Sequence, residues 1–334
     1  MFTCTDYECA STTQSFTLVV ANTNDAPTIT STAVTSATED SAYTYTVTAS
    51  DVDVGDTLTM TGTTVPSWLT FDATTGVLSG TPLNANVGDN SVVITVGDGT
   101  TTVTDSFTIT VANTNDAPTI TSTAVTAATE DSAYTYTSTA SDVDAGDTLT
   151  AAGTTVPSWL TFTASTGVLT GTPTNAEVGS HAVVITFSDG TASVTDSFSI
   201  TVANTNDAPT LANPISDASV AEDAAYSLDV SAMCADVDVG DTMAYTLAGA
   251  PTTLSVASGV ISGTPLNADV GTHTITVTCT DGAGATASDS YVLTVTNTND
   301  APTISSTAVT AATEDSAYTY TVVAADVDSG DTVT

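Results

Sequence analysis

Ala21-Asn22-Thr23-Asn24-Asp25-Ala26-Pro27-Thr28 is the stretch on which the reading of this chain turns. It returns at 112–119 and 203–210 and, as Thr-Asn-Thr-Asn-Asp-Ala-Pro-Thr, at 296–303. The aspartates Asp25, Asp116, Asp207 and Asp300 fall 91, 91 and 93 residues apart, a period that suits one small β-sandwich and is too long for a solenoid unit. The chain therefore reads as a tandem array. Full repeats are expected at 24–114, 115–205 and 206–298, with the C-terminal part of a repeat at 1–23 and the N-terminal part of another at 299–334. The sequence is expected to be a window on a longer protein.

Within the first full repeat, residues 28–34 are β-prone and follow a proline that can only open a strand or lie at an edge. Tyr43-Thr44-Tyr45-Thr46-Val47 alternates so that every second side chain can face a core. Asp51-Val52-Asp53-Val54-Gly55-Asp56 is a turn, and Trp68, beside Leu69 and Phe71, is expected at the centre of the core. Thr75-Gly76-Val77-Leu78-Ser79-Gly80-Thr81-Pro82 reads as turn, brief strand, turn. Val92–Val96 and Val103–Val111 supply the last two strands. The expectation is an all-β, seven-stranded sandwich in each repeat and no helix.

Composition bounds the partners. There are 38 acidic residues and no lysine or arginine in 334 residues, a formal net charge of −38. No internal ion pair with a basic side chain other than histidine can form, and binding to nucleic acid or to an anionic membrane surface lacks the cations it needs. Metal cations are what such a chain should attract. Leu, Ile, Val and Phe make up only about a fifth of the residues, near the range of disordered chains, but regular alternation and recurring aromatic positions favour a fold. No run is long and apolar enough to span a bilayer, and the first residues lack the basic start and apolar middle of a signal peptide.

Asn-Asp-Ala-Pro at the junction, Glu39-Asp40 after the first strand, Asp51 and Asp53 after the second, and Asp98-Gly99 after the sixth together resemble a cadherin repeat. The segment 75–82 is more similar to the dystroglycan-type cadherin-like and immunoglobulin-like tandem repeats of large bacterial surface adhesins. The resemblance covers the whole chain. It implies calcium between successive domains, whose six to eight hard oxygens would come from Asn22, Asn24, Asp25, Asp51, Asp53 and Asp98 at the first junction. At the second they would be Glu39, Asn113, Asn115, Asp116, Asp142, Asp144 and Asp189; at the third, Glu130, Asn204, Asn206, Asp207, Asp236, Asp238 and Asp281. The fourth would use Glu222, Asn297, Asn299, Asp300, Asp326 and Asp328. Two departures stand out. The Leu-Asp-Arg-Glu segment of cadherins is missing, with Ser79-Gly80-Thr81-Pro82 in its place, and Asn22 or Asn113 stands where cadherins carry aspartate.

In the third repeat the tryptophan segment becomes Pro251-Thr252-Thr253-Leu254, and Cys234 and Cys279 appear on strands that immunoglobulin-type sandwiches bridge across their sheets. A disulfide would compensate for the missing tryptophan and imply an oxidising, extracellular setting; two buried thiols are the alternative. Cys4 occupies the place of Cys279, with a partner upstream or at Cys9.

Each feature has a plainer reading. An isolated Asp-x-Asp is commonly a backbone turn, and Asp56, Asp147 and Asp241 are read as turn residues only. His181 and His273 share the turn position of Asn90 and are read as solvated loop residues. No nucleophile stands beside a base and no phosphate-cradling glycine loop occurs, so no enzyme is expected. Two functions remain: a calcium-stiffened stalk or fibre of a secreted or surface adhesin, meeting copies of itself or cell-surface partners, or a module that recognises carbohydrate or protein directly.

Overall fold

A computed structural model describes all 334 residues, and it is all-β apart from one 3-10 turn in each full repeat. No helix is long and apolar enough to cross a membrane. An exposed antiparallel hairpin, β1 (Phe2–Thr5) and β2 (Ser11–Gln14), precedes the first full repeat. That repeat runs β3 (Thr28–Ile29), β4 (Ser36–Thr38), β5 (Tyr43–Thr46), β6 (Ala49–Ser50), β7 (Thr59–Thr64), β8 (Leu69–Asp72), β9 (Val77–Gly80), β10 (Gly88–Gly97) and β11 (Thr102–Ala112).

Seven strands are present, two of them broken. One sheet has the order β4-β11-β10-β7, with β4 parallel to β11, and the other β5-β9-β8, extended by the β3-β6 pair. The first strand breaks because the chain leaves β6 after Ile29 and crosses to the opposite sheet at Ser36. Strands β5 and β6 are one strand with an irregularity at Val47-Thr48, where Ser31 Oγ accepts the Thr48 amide at 3.0 Å.

The alternation read from sequence decides what is inside. Tyr43, Tyr45 and Val47 are buried while Thr44 and Thr46 face water. They meet Leu69 and Leu78 of their own sheet and Val92, Ile94, Val96, Ile109 and Val111 of the other. Each tyrosine still finds an acceptor for its hydroxyl: Tyr43 donates to Val34 O at 2.7 Å and Tyr45 to Asp105 Oδ2 at 2.9 Å. Burial pushes the Tyr43 and Tyr134 hydroxyls up to about 12. Gly80 is obligatory for contact, because a Cβ there would lie 2.0 Å from the carbonyl oxygen of Trp68, the residue just before the neighbouring strand β8.

Trp68 is not at the centre of the core. It is half-buried at the rim, edge-on to Tyr43 with ring centroids 5.7 Å apart, and its indole N–H donates to Asn90 Oδ1 at 3.0 Å. The centre is aliphatic, with Leu78, Ile94 and Ile109 fully buried. An indole keeps a polar N–H that must reach a partner, which favours the rim.

The second repeat copies this arrangement, and the third keeps it with a 12-residue core that includes Cys234 and Cys279. Those two cysteines are joined, Cα atoms 6.6 Å apart, whereas Cys4 and Cys9 are free and exposed. His181 and His273 are also placed differently from the sequence expectation: both lie in strands, half-buried. Their Nε2 atoms donate to the carbonyls of Glu177 (2.6 Å) and Asp269 (2.7 Å), the place Asn90 takes in the first repeat by donating to Asn86 O at 2.8 Å.

Candidate metal centre

The acidic residues gather where one repeat hands over to the next. At the junction after the first full repeat, Glu39 lies in the turn following β4 and is 2% exposed. Its neighbour Asp40 adopts φ 58°, a left-handed conformation that aspartate tolerates better than glutamate. The acidic pair therefore divides its work: Asp40 turns the chain and Glu39 points into the junction. Glu39 Oε2 accepts the linker amide of Thr114 at 3.2 Å.

Asp144, 5% exposed, joins three segments. Its Oδ2 accepts the linker amide of Asp116 at 2.7 Å, and its Oδ1 accepts Asn84 Nδ2 of the upper repeat at 2.6 Å. Its own amide donates to Asp142 Oδ1 at 3.0 Å. Glu39, Asp116 and Asp144 offer carboxylate oxygens that all lie within 4.8 Å of one another, and so do Asp142, Asp144 and Asp147. The next junctions repeat the first of these groups as Glu130, Asp207 and Asp238, and as Glu222, Asp300 and Asp328. At the leading end of the first full repeat the group is Asp51, Asp56 and Asp98, in which the loop residue Asp98, the equivalent of Asp189, joins the equivalents of Asp142 and Asp147.

Asp56 and Asp147, read from sequence as turn residues, thus stand within ligand distance of the Asp-x-Asp carboxylates. Asp241 approaches the loop of the third repeat, accepting Gly282 N at 3.4 Å. The signal that could have found them was their fixed place three residues after Asp53, Asp144 and Asp238. Partial desolvation by the surrounding loops first, then the neighbouring carboxylates, pushes the exposed Asp56 and Asp147 above the ordinary aspartate value. The loop aspartates go the other way. Backbone amides of Thr101 and Thr100, with Asn24, hold Asp98 well below it; Ala192 and Thr191 amides lower Asp189, and Asn206 leads in lowering Asp281.

The linker asparagines reach the lower repeat. Asn24, Asn115 and Asn206 donate to Asp98 (3.0 Å), Asp189 (3.1 Å) and Asp281 (2.9 Å), while Asn299 donates to Asp300 O at 2.9 Å. Asn22 donates to Asp53 Oδ1 at 2.9 Å, and the Asp25 amide to Asp53 Oδ2 at 2.7 Å. Asn113 and Asn297 are exposed and make no side-chain hydrogen bond, and Asn204 makes only a long one, 3.5 Å, with Asn175. Sequence reading missed Asn84, Asn175 and Asn267. They sit on the 3-10 turns Asn84–Asn86, Asn175–Glu177 and Asn267–Asp269, so the upper repeat reaches the junction through residues just after Pro82, not through Ser79–Pro82.

The donor set fits a hard divalent cation. In Asp51, Asp142 and Asp236 one carboxylate oxygen makes the backbone turn, but the other is buried with no partner, as is Glu222 Oε2. A turn alone explains the first oxygen and not the second. Buried carboxylate oxygens facing other carboxylates are costly without a positive charge, and oxygen-only donors of this kind suit calcium.

The sequence matches the family described as Putative Ig domain over residues 26–112, 117–203 and 208–296. It is 31% identical over 140 residues to the "Serine-rich adhesin for platelets" of Staphylococcus aureus, a match covering 42% of this chain and 6% of that protein. Among solved structures it resembles cadherin domains 1–5 of Protocadherin Gamma B2 (20% identity, TM-score 0.59, 84% of this chain and 62% of that one). The Protocadherin GammaB4 extracellular domain is similar at 18% identity and TM-score 0.53, covering 93% of this chain and 58% of that one. At such identities the protocadherins speak to the fold alone. The chain spans only a small part of the adhesin it matches.

Proposed function

The chain belongs to the Putative Ig domain family, and from that premise we propose that it is a stalk segment of a secreted or surface adhesin, built from repeats at 24–114, 115–205 and 206–298 and stiffened by calcium. The observation that carries this reading is the recurrence, at successive junctions, of a buried glutamate, a linker aspartate and a buried loop aspartate with their carboxylates together. The linker amides already bind these carboxylates, so two repeats and the segment between them converge on one point.

Calcium would supply positive charge and a preference for several oxygen donors at once. Glu39 would contribute from the upper repeat, Asp116 from the linker, and Asp142, Asp144 and Asp147 from the lower repeat. Ligands drawn from three segments fix a mutual angle that a flexible linker would not. Without the cation, each pair among Glu39, Asp116 and Asp144 would repel by about 3.5 kcal/mol at an effective dielectric near 20. The near-identity of the first two repeats supports a spacer over a recognition face. The adhesin similarity supports the surface setting, where the Cys234–Cys279 bond would persist.

Small-angle scattering and calorimetry on the 334-residue chain, with calcium and with chelator, test the proposal. Chelation should broaden the distribution of interatomic distances and lower the melting temperature. Unchanged scattering and melting, together with no heat of calcium binding, would refute it.

A further inference from the structure

Three upper-repeat side chains that reach these junctions are uncharged, and their geometry points to a second device there. Asn84, Asn175 and Asn267 donate Nδ2 to Oδ1 of Asp144 (2.6 Å), Asp238 (2.8 Å) and Asp328 (3.0 Å). The acceptor is a carboxylate, which only accepts, so each amide must present its nitrogen. Where residues 1–23 offer no such turn, the same Oδ1 of Asp53 is taken by another amide, that of Asn22. The acceptor position is thus filled by an amide in all four cases.

The turn carrying each asparagine is held at both ends by side chains that differ between repeats. On the entry side, Asn86, Glu177 and Asp269 accept the amides of Leu83, Thr174 and Leu266 at 2.9, 2.9 and 3.0 Å. On the exit side, Asn90, His181 and His273 bond the carbonyls of those same three residues. The supports vary in type while the presented residue is asparagine each time.

We infer that Asn84, Asn175 and Asn267 are cation-independent latches: neutral positioning residues that tie each repeat to the next through the buried loop aspartate, whether or not metal is bound. An acidic side chain there would lose the donor and add a fourth negative charge to the cluster. Asparagine instead lowers the charge the junction must hold and gives it a direct hydrogen bond to a charged acceptor, a stronger class than the neutral kind. The inference goes beyond the calcium reading, because the bond needs no ion. It makes the metal-free junction a restrained hinge in place of a free one.

Hydrogen exchange on the full chain in chelator tests it, read at the amide of Asp116, which is held by the other oxygen of Asp144. Asn84→Ala should speed that exchange about tenfold, the size of losing one hydrogen bond to a charged group, while the Asp207 and Asp300 amides keep their wild-type rates. Asn84→Asp, nearly the same size, should speed it at least as much. Unchanged exchange at Asp116 in Asn84→Ala would overturn the latch, as would acceleration by alanine but not by aspartate, which would mean lost packing. Calorimetric titration of the same proteins with calcium separates the two ideas: absent binding in wild type sinks the calcium reading and leaves the exchange result to judge the latch.

Discussion

Replacing the Cys234–Cys279 bond by the residues of the first repeat, Cys234→Ala with Cys279→Val, isolates what the cross-link does. Ala49 and Val96 hold the equivalent positions: Ala49 pairs with Ile29 as Cys234 does with Leu211, and Val96 precedes Asp98 as Cys279 precedes Asp281, by two residues. The bond closes a 45-residue separation. In the chain-entropy picture such a loop restricts the unfolded chain by about 13 cal/mol/K, or about 4 kcal/mol at 25 °C. For a repeat of this size that corresponds to roughly 20 °C in melting temperature. Scanning calorimetry of the whole chain should show the third repeat's transition fall by about that amount, while the first two repeats, which contain no cysteine, keep theirs. Mass spectrometry without reductant first confirms that the wild-type bond is closed. A fall of only two or three degrees would refute the reasoning and mean that the third core holds its shape by packing alone.

Other expected outcomes concern the interior. Tyr43 and Tyr134 hold their protons up to about 12 when folded and lose them near 10 when unfolded, so between pH 10 and 12 the unfolded state binds fewer protons and stability must fall. Denaturant midpoints across that range should decline, with part of the tyrosinate absorbance appearing only on unfolding. Trp159 N–H is buried without a partner, whereas Trp68 has Asn90; His181→Asn should restore the bond and raise the second repeat's stability by about 1 kcal/mol in a denaturant titration. Gly80→Ala forces a Cβ onto the Trp68 carbonyl and should abolish the first repeat's cooperative transition while sparing the third.

Period and alternation were enough to read the architecture, because both follow from backbone geometry: strand side chains alternate, and a repeated junction marks a repeated unit. What sequence could not place were residues whose role depends on a partner far along the chain. Asn84 meets Asp144 across 60 positions and Asp56 meets Asp98 across 42, and neither has a local pattern to separate it from an ordinary turn residue. Trp68 misled for a different reason, since its area suggests the centre of a core while its N–H requires the edge. His181 and His273 looked like loop residues because they share the place of Asn90, two residues after a glycine, whereas Gly179 and Gly271 open ten-residue strands.

The spacing of the junctions decides whether they act together. The two longest strands of a repeat have 10 and 11 residues, which puts neighbouring junctions about 35 Å apart, roughly four Debye lengths at physiological salt. Interactions between junctions are then negligible, whereas three carboxylate oxygens within 4.8 Å interact strongly inside each one. The carboxylates of one junction should therefore act as a unit in holding calcium, while different junctions fill independently of one another. Asp144→Asn is the discriminating change. It should remove the heat belonging to one junction and leave the affinity of the others within experimental error in a calorimetric titration. If losing Asp144 weakens binding at every junction, the repeats communicate through packing across their full length, and a chain of independent joints is the wrong description.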